Sequence, residues 1–205
     1  MTVHKRRCGV AADANAETLA IARSDFGLSV WDAKTGKETS SGPLHLGTVT
    51  AIEYSPDGST LVSGSSDGRL QVWDAMTGRH RRSLRPHVDA IKTLRCVGES
   101  TVVSCSGDAV TLQNWRTGQL EGTIRVAELL PKGAIPDEWD GASLTADRTR
   151  IVALANRTRS PKVYVFDRSS RQVVARHEMP WRSLYSVGRS DAMIHGMMWE
   201  GNEVI

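Results

Sequence analysis

The chain has 205 residues, of which 24% are charged and 40% hydrophobic, with 18 glycines and 3 cysteines, a composition that excludes disordered, collagen-like and disulfide-stapled proteins. Its formal charge is only +3, so net charge implies neither a nucleic-acid nor an anionic-membrane partner. No apolar run reaches the roughly 18 residues of a spanning helix, and Lys5, Arg6 and Arg7 lead into a stretch broken by Asp13, Asn15 and Glu17 instead of an export signal.

Taken in chain order, the sequence divides into repeats. The first unit, 3–42, ends on Val30-Trp31-Asp32-Ala33-Lys34-Thr35-Gly36, and the second, 43–84, repeats this 42 residues later as Val72-Trp73-Asp74-Ala75-Met76-Thr77-Gly78. Upstream the register holds: Leu19 matches Leu61, Asp25 matches Asp67 and Leu28 matches Leu70. Within the second unit, Val49 to Tyr54 alternates, Ser55-Pro56-Asp57-Gly58 turns, and Thr60 to Ser63 is extended. Ser65-Ser66-Asp67-Gly68 then turns, Arg69 to Trp73 alternates, and Met76-Thr77-Gly78 turns into Arg79 to Leu84. That pattern predicts four short antiparallel strands.

The third unit, 85–124, begins in register, His45 matching His87, and then slips, so that Gln113-Asn114 occupies the Trp-Asp position and Trp115 lies two residues beyond it. Residues 125–138 carry Pro131, Gly133 and Pro136 and read as an inserted loop with one helical turn at Ala127 to Leu130. The fourth unit, 137–178, keeps Phe166-Asp167 in place of Trp-Asp, and Trp139-Asp140 is not a repeat signature, since no strand pattern precedes it. A fifth unit, 181–205, is truncated, with strands expected at Ser183 to Val187 and Ala192 to Met198. The predicted fold is all-β: four-stranded antiparallel blades of a β-propeller, in an incomplete, open ring.

The His before the first strand, Ser-Pro-Asp-Gly, Ser-Gly-Ser-x-Asp-Gly, Val-Trp-Asp and the Thr-Gly turn together resemble the WD-repeat (WD40) family, most strongly over residues 8–84. The resemblance implies a buried network of His45, Ser63, Asp67 and Trp73 in the second unit. In the third it implies His87, Ser104 and Asp108, left incomplete by Gln113; in the first, Asp25 and Trp31, with Ile21 at the Ser position.

Ser63, Asp67 and His45 also have the composition of a catalytic triad. Their return as Ser104, Asp108 and His87 favours a structural role, because every blade must satisfy its buried polar groups while one enzyme seldom needs a triad per repeat. No catalytic residue, metal site or cofactor is expected: the six histidines lack metal-ligand spacing, and no glycine-rich loop opens a helix. Cys8, Cys96 and Cys105 show no CxxC spacing, which suits a reducing, cytoplasmic or nuclear compartment. The basic run Arg79 to Arg85 falls on an outermost strand, where charge guards an open sheet edge, and it has no interleaved aromatics.

Propellers of this family bind partners on the face built from the loops between second and third strands and between blades. Arg23, Phe26, Leu44, Arg85, Arg157, Arg159 and Trp181 fall in those loops. The expected function is therefore a non-catalytic scaffold for a protein or peptide partner; the alternatives are an enzyme working from an axial pocket, and RNA binding through the basic edge. Fewer than five repeats of about 42 residues fit in 205, so the expectation is either a fragment of a longer propeller or a ring completed by another chain.

Overall fold

The computed structural model describes residues 9–23, 25–42, 45–125, 128, 139–145, 149–155, 162–178, 199–200 and 203–204. Four antiparallel sheets of four strands follow one another along the chain. Blade 1 comprises β1 (Val10–Ala12), β2 (Thr18–Ala22), β3 (Leu28–Asp32) and β4 (Lys37–Gly42). Blade 2 comprises β5 (Val49–Tyr54), β6 (Thr60–Ser65), β7 (Leu70–Asp74) and β8 (His80–Leu84). Blade 3 contains β9 (Thr93–Val97), β10 (Thr101–Cys105), β11 (Ala109–Asn114) and β12 (Leu120–Arg125). Blade 4 contains β13 (Trp139–Leu144), β14 (Arg150–Ala155), β15 (Lys162–Asp167) and β16 (Val173–Glu178). A hairpin of β17 (Trp199–Glu200) and β18 (Glu203–Val204) follows. Among the described residues the sheets do not close into a ring, and no helix is long and apolar enough to cross a membrane.

The turns explain why each unit is built alike. At the end of the third strand, Asp32 accepts the N–H groups of Lys34 and Thr35, and Asp74 accepts that of Thr77. Asn114 accepts those of Arg116 and Thr117, and Asp167 that of Ser170. The residue four beyond the cap has positive φ: Gly36, Gly78 and Gly118 take it freely, whereas blade 4 places Arg171 there at 59°. Each sheet also has a register shift beside its aromatic or Gln position, at Val30/Trp31, Val72/Trp73, Leu112/Gln113 and Val165/Phe166, which sharpens the twist toward the outer strand.

The core lies between blades. Ala20, Leu28 and Val30 pack on Leu61 and Trp73; Val62, Leu70 and Val72 pack on Leu94, Cys96 and Val102; Val103, Val110 and Leu112 pack on Ile151 and Phe166. Trp115, two residues past the signature position, is buried at the seam of blades 2 and 3. Trp139, although no part of a Trp-Asp signature, opens the first strand of blade 4, edge-on to Tyr164 and Phe166 at 5.3 and 5.9 Å between ring centroids. Apart from Arg125 and Glu128, the expected inserted loop lies outside the described residues, as does the fifth unit apart from its hairpin.

Candidate functional site

In blade 2 the cross-strand neighbours Leu61 and Trp73, and Ser63 and Gln71, put the serine beside the indole. Trp73 Nε1 donates to Ser63 Oγ at 2.9 Å, and His45 Nε2 is hydrogen-bonded to the same oxygen at 2.7 Å. Asp67 does not join them directly. Its carboxylate accepts the N–H groups of Leu46 (3.1 Å) and Arg69 (3.0 Å), closing its own turn, while His45 Nδ1 has no hydrogen-bond partner among the described residues. A carboxylate two residues from an open N–H meets it at almost no cost in chain entropy, which the imidazole must compete against. Burial therefore dominates and pushes the His45 pKa down to about 4, against the opposing pull of Asp67.

Blade 3 uses a different third member. His87 Nε2 lies 2.9 Å from Ser104 Oγ and 3.1 Å from Thr111 Oγ1, and the two hydroxyls are 2.8 Å apart. Gln113, at the tryptophan position, donates instead to the Gly118 carbonyl. Asp108 accepts from Ser106 Oγ and pairs with Arg125 at 3.6 Å, and burial lowers the His87 pKa to about 4. In blade 1, Trp31 Nε1 donates to Ser29 Oγ at 2.8 Å, and Asp25 pairs with Arg23 and accepts from Gly27 N; the Arg23 bond leads in holding the Asp25 carboxyl below its usual range. In blade 4 the serine position is Ala153 and the network gives way to packed aromatics.

These buried groups hold one set of loops. His45 N donates to the Phe26 carbonyl (2.9 Å) and His87 N to the Gly68 carbonyl (3.4 Å), so each histidine anchors the start of its blade to the preceding blade. The residue after each histidine faces outward: Leu46 and Val88 are 74% and 75% exposed, with Phe26 41% exposed beside them. Phe26 occupies the place of Gly68 in the repeat and takes a φ of 68°, backbone strain that a glycine would avoid. Arg23 and Arg85 are exposed on these loops, whereas Leu44, Arg157, Arg159 and Trp181 lie outside the described residues. The sequence reading overlooked Leu46 and Val88; their one signal was the shared place after a histidine, 42 residues apart.

Within the basic run, Arg81 pairs with Asp74, Arg82 donates to the Thr117 carbonyl, and His80 bonds Gln71. Three of its members thus tie the outer strand down. Along the axis, β1, β5, β9 and β13 contribute to a cavity of about 710 Å³ where Glu53 and Arg95 form an ion pair at 2.9 Å. Burial raises the Glu53 carboxyl, with Arg95 pulling the other way. Among the described residues no cluster of three or more His, Cys, Asp or Glu side chains could hold a metal ion.

The family model for the WD domain, G-beta repeat, matches residues 36–74, from the last turn of blade 1 to the end of β7. Residues 36–74 thus match one WD repeat. The matched stretch contains the whole His45, Ser63 and Trp73 arrangement, and the four four-stranded antiparallel sheets make a partial β-propeller of about four blades. Among solved structures, hydrazine synthase of Kuenenia stuttgartiensis is similar with a TM-score of 0.70 and 15% identity, over 87% of this chain and 51% of that one. The computationally designed Ika8 protein is similar with a TM-score of 0.63 and 24% identity, over 78% of this chain and 46% of that one. The chain spans about half the length of each. A search of the curated proteins returns no match.

Proposed function

We propose that the chain is a non-catalytic interaction scaffold that takes a protein or peptide partner on the loop face bearing Phe26, Leu46 and Val88. The observation that carries this reading is the repetition of exposed aliphatic residues, Leu46 and Val88, at one position in successive blades, with strained Phe26 next to the first of them. Large apolar side chains held outward on rigidly anchored backbone are what a docking surface requires, since little ordering entropy remains to be lost on binding. Arg23 and Arg85 border the row as polar rim. WD-repeat domains generally act as interaction scaffolds, which agrees with this reading.

A displayed peptide library selected on the full chain tests it. Enriched peptides are expected to bind Leu46→Asp/Val88→Asp at least about tenfold more weakly, the loss of one or two apolar anchors, and to bind Met76→Asp, an exposed turn residue elsewhere, as they bind the parent. Peptides indifferent to the double substitution would remove this face from consideration.

A further inference from the structure

The innermost strands carry equivalent positions of successive blades. Ala11 pairs with Ala20 across β1 and β2, Glu53 with Val62 across β5 and β6, and Arg95 with Val103 across β9 and β10, each inner residue 42 positions from the last. All three line the axial cavity of about 710 Å³, where Glu53 and Arg95 are the only charged side chains among the described residues. They are 22% and 24% exposed. Their contact is a single bond, Arg95 Nη1 donating to Glu53 Oε1, not the two-point fork that a guanidinium and a carboxylate can make. No other side chain among the described residues bonds to either group, which leaves Glu53 Oε2 able to accept and Arg95 Nε and Nη2 able to donate. Ala11 supplies the room: its methyl leaves open on one side of Glu53 the space that Arg95 fills on the other. Stability alone does not account for such a pair, since apolar side chains in its place are often neutral or better.

We propose that this cavity binds a small uncharged ligand with an apolar body and a primary amide head, the amide N–H donating to Glu53 Oε2 and its carbonyl accepting from Arg95. The ion pair is neutral as a unit, so an ionic head of either sign would bring an unbalanced charge into a partly buried site. An amide instead offers one donor and one acceptor side by side. Ala11, Ile52 and Leu94 on the same walls receive the apolar body. The volume falls within the roughly 300–1,000 Å³ of small-molecule sites, whose usual make-up is an apolar lining with a few convergent polar groups. Burial also raises the Glu53 carboxyl against the pull of Arg95, a perturbation of the kind that clusters at functional sites. The cavity is separate from the loop face, since Phe26, Leu46 and Val88 do not line it.

Benzamide, benzoate and benzylamine share one ring and differ in the charge of the head, and each is titrated at neutral pH into the isotope-labelled full chain while its amide resonances are followed. Benzamide is expected to shift amides of β1, β5 and β9 saturably, with a Kd of about 1–10 mM, the affinity that a ligand of so few atoms reaches. Benzoate and benzylamine are expected to bind at least about tenfold more weakly. Glu53→Leu/Arg95→Leu removes both charges together, so that neither is left buried alone. It should weaken benzamide at least about tenfold, the loss of hydrogen bonds to charged groups, with the β signal in circular dichroism retained; Met76→Asp, in an exposed turn, binds benzamide as the parent does. Absence of saturable shifts in these strands, equal binding of either charged probe, or a folded double variant that binds benzamide undiminished overturns the proposal. If the double variant fails to fold, the three probes on the unsubstituted chain decide alone. None of these readouts depends on the loop face bearing Leu46 and Val88.

Discussion

Ser63 serves two buried nitrogens with one oxygen, 2.9 Å from Trp73 Nε1 and 2.7 Å from His45 Nε2. Ser63→Ala strands both away from water and should cost about 2–3 kcal/mol, the penalty of unmade buried hydrogen bonds. In blade 3, Thr111 Oγ1 stands 3.1 Å from His87 Nε2, so Ser104→Ala leaves that ring a partner and should cost only about 1 kcal/mol. Urea unfolding of the two variants separates them, and equal losses would contradict the assignment of Thr111. The histidines set a pH window as well. In the unfolded chain they protonate near 6.5, whereas His45 and His87 hold out to about 4 when folded, so between these values the unfolded chain binds more protons. Stability is full above pH 6.5 and falls as pH drops toward 4, by up to about 3 kcal/mol per ring at the acid limit. Loss from the Asp74 carboxyl, which the Thr77 N–H and then Arg81 hold down to about 2, belongs to a lower window, beginning near 3.8. His45→Gln/His87→Gln should flatten the upper window; wild-type stability constant from pH 7 to 4.5 would refute burial of neutral imidazoles.

The strands and their turns were legible in the sequence because each turn carries its own chemistry: an Asp or Asn that caps, then a residue free to take positive φ. Where that chemistry lapses the fold persists under strain. Ala16, Phe26 and Arg171 adopt φ of 53°, 68° and 59° at places where other repeats have glycine, each with a backbone hydrogen bond at its turn: Ala16 N to the Asp13 carbonyl, His45 N to the Phe26 carbonyl and Arg171 N to the Asp167 carbonyl. The register shift beside each signature position was not legible, since it is a property of pairing between strands and not of residue type. Nor was the role of Trp139: a single aromatic carries no record of which distant strands it meets, and it lies edge-on to Tyr164 and Phe166. The candidate site was half legible. The resemblance to WD repeats implied His45, Ser63 and Trp73, but whether Asp67 reaches the imidazole or the Leu46 N–H is decided by ångström-scale turn geometry. Contacts between blades divide the same way: Glu53 and Arg95 pair at 2.9 Å from equivalent positions one repeat apart, whereas Arg168 with Glu121 at 3.0 Å follows no repeat rule.

An arc of blades that touch only their neighbours is a nearly one-dimensional object, so its stability is a sum of blade and seam terms instead of one global quantity. The terms are unequal here. Blades 2 and 3 are each packed on both faces and hold histidine–serine hydrogen bonds in their interiors. Among the described residues blade 1 is packed on one face, replaces the serine by Ile21 at the network position, and carries two non-glycine residues at positive φ, Ala16 and Phe26, each costing on the order of 1–2 kcal/mol. Its first strand, β1, is also short, at three residues. Amides of β2 and β3 should therefore exchange through an opening of smaller free energy than those of β6, β7, β10 and β11, by roughly 2 kcal/mol or more given those strain terms. Native-state hydrogen exchange in graded denaturant reads this directly. If β2 and β3 merge with β6 and β7 into one opening of equal free energy and denaturant slope, blade 1 is no independent term, and the seam through Ala20, Leu28 and Val30 onto Trp73 binds the first two blades into a single cooperative unit.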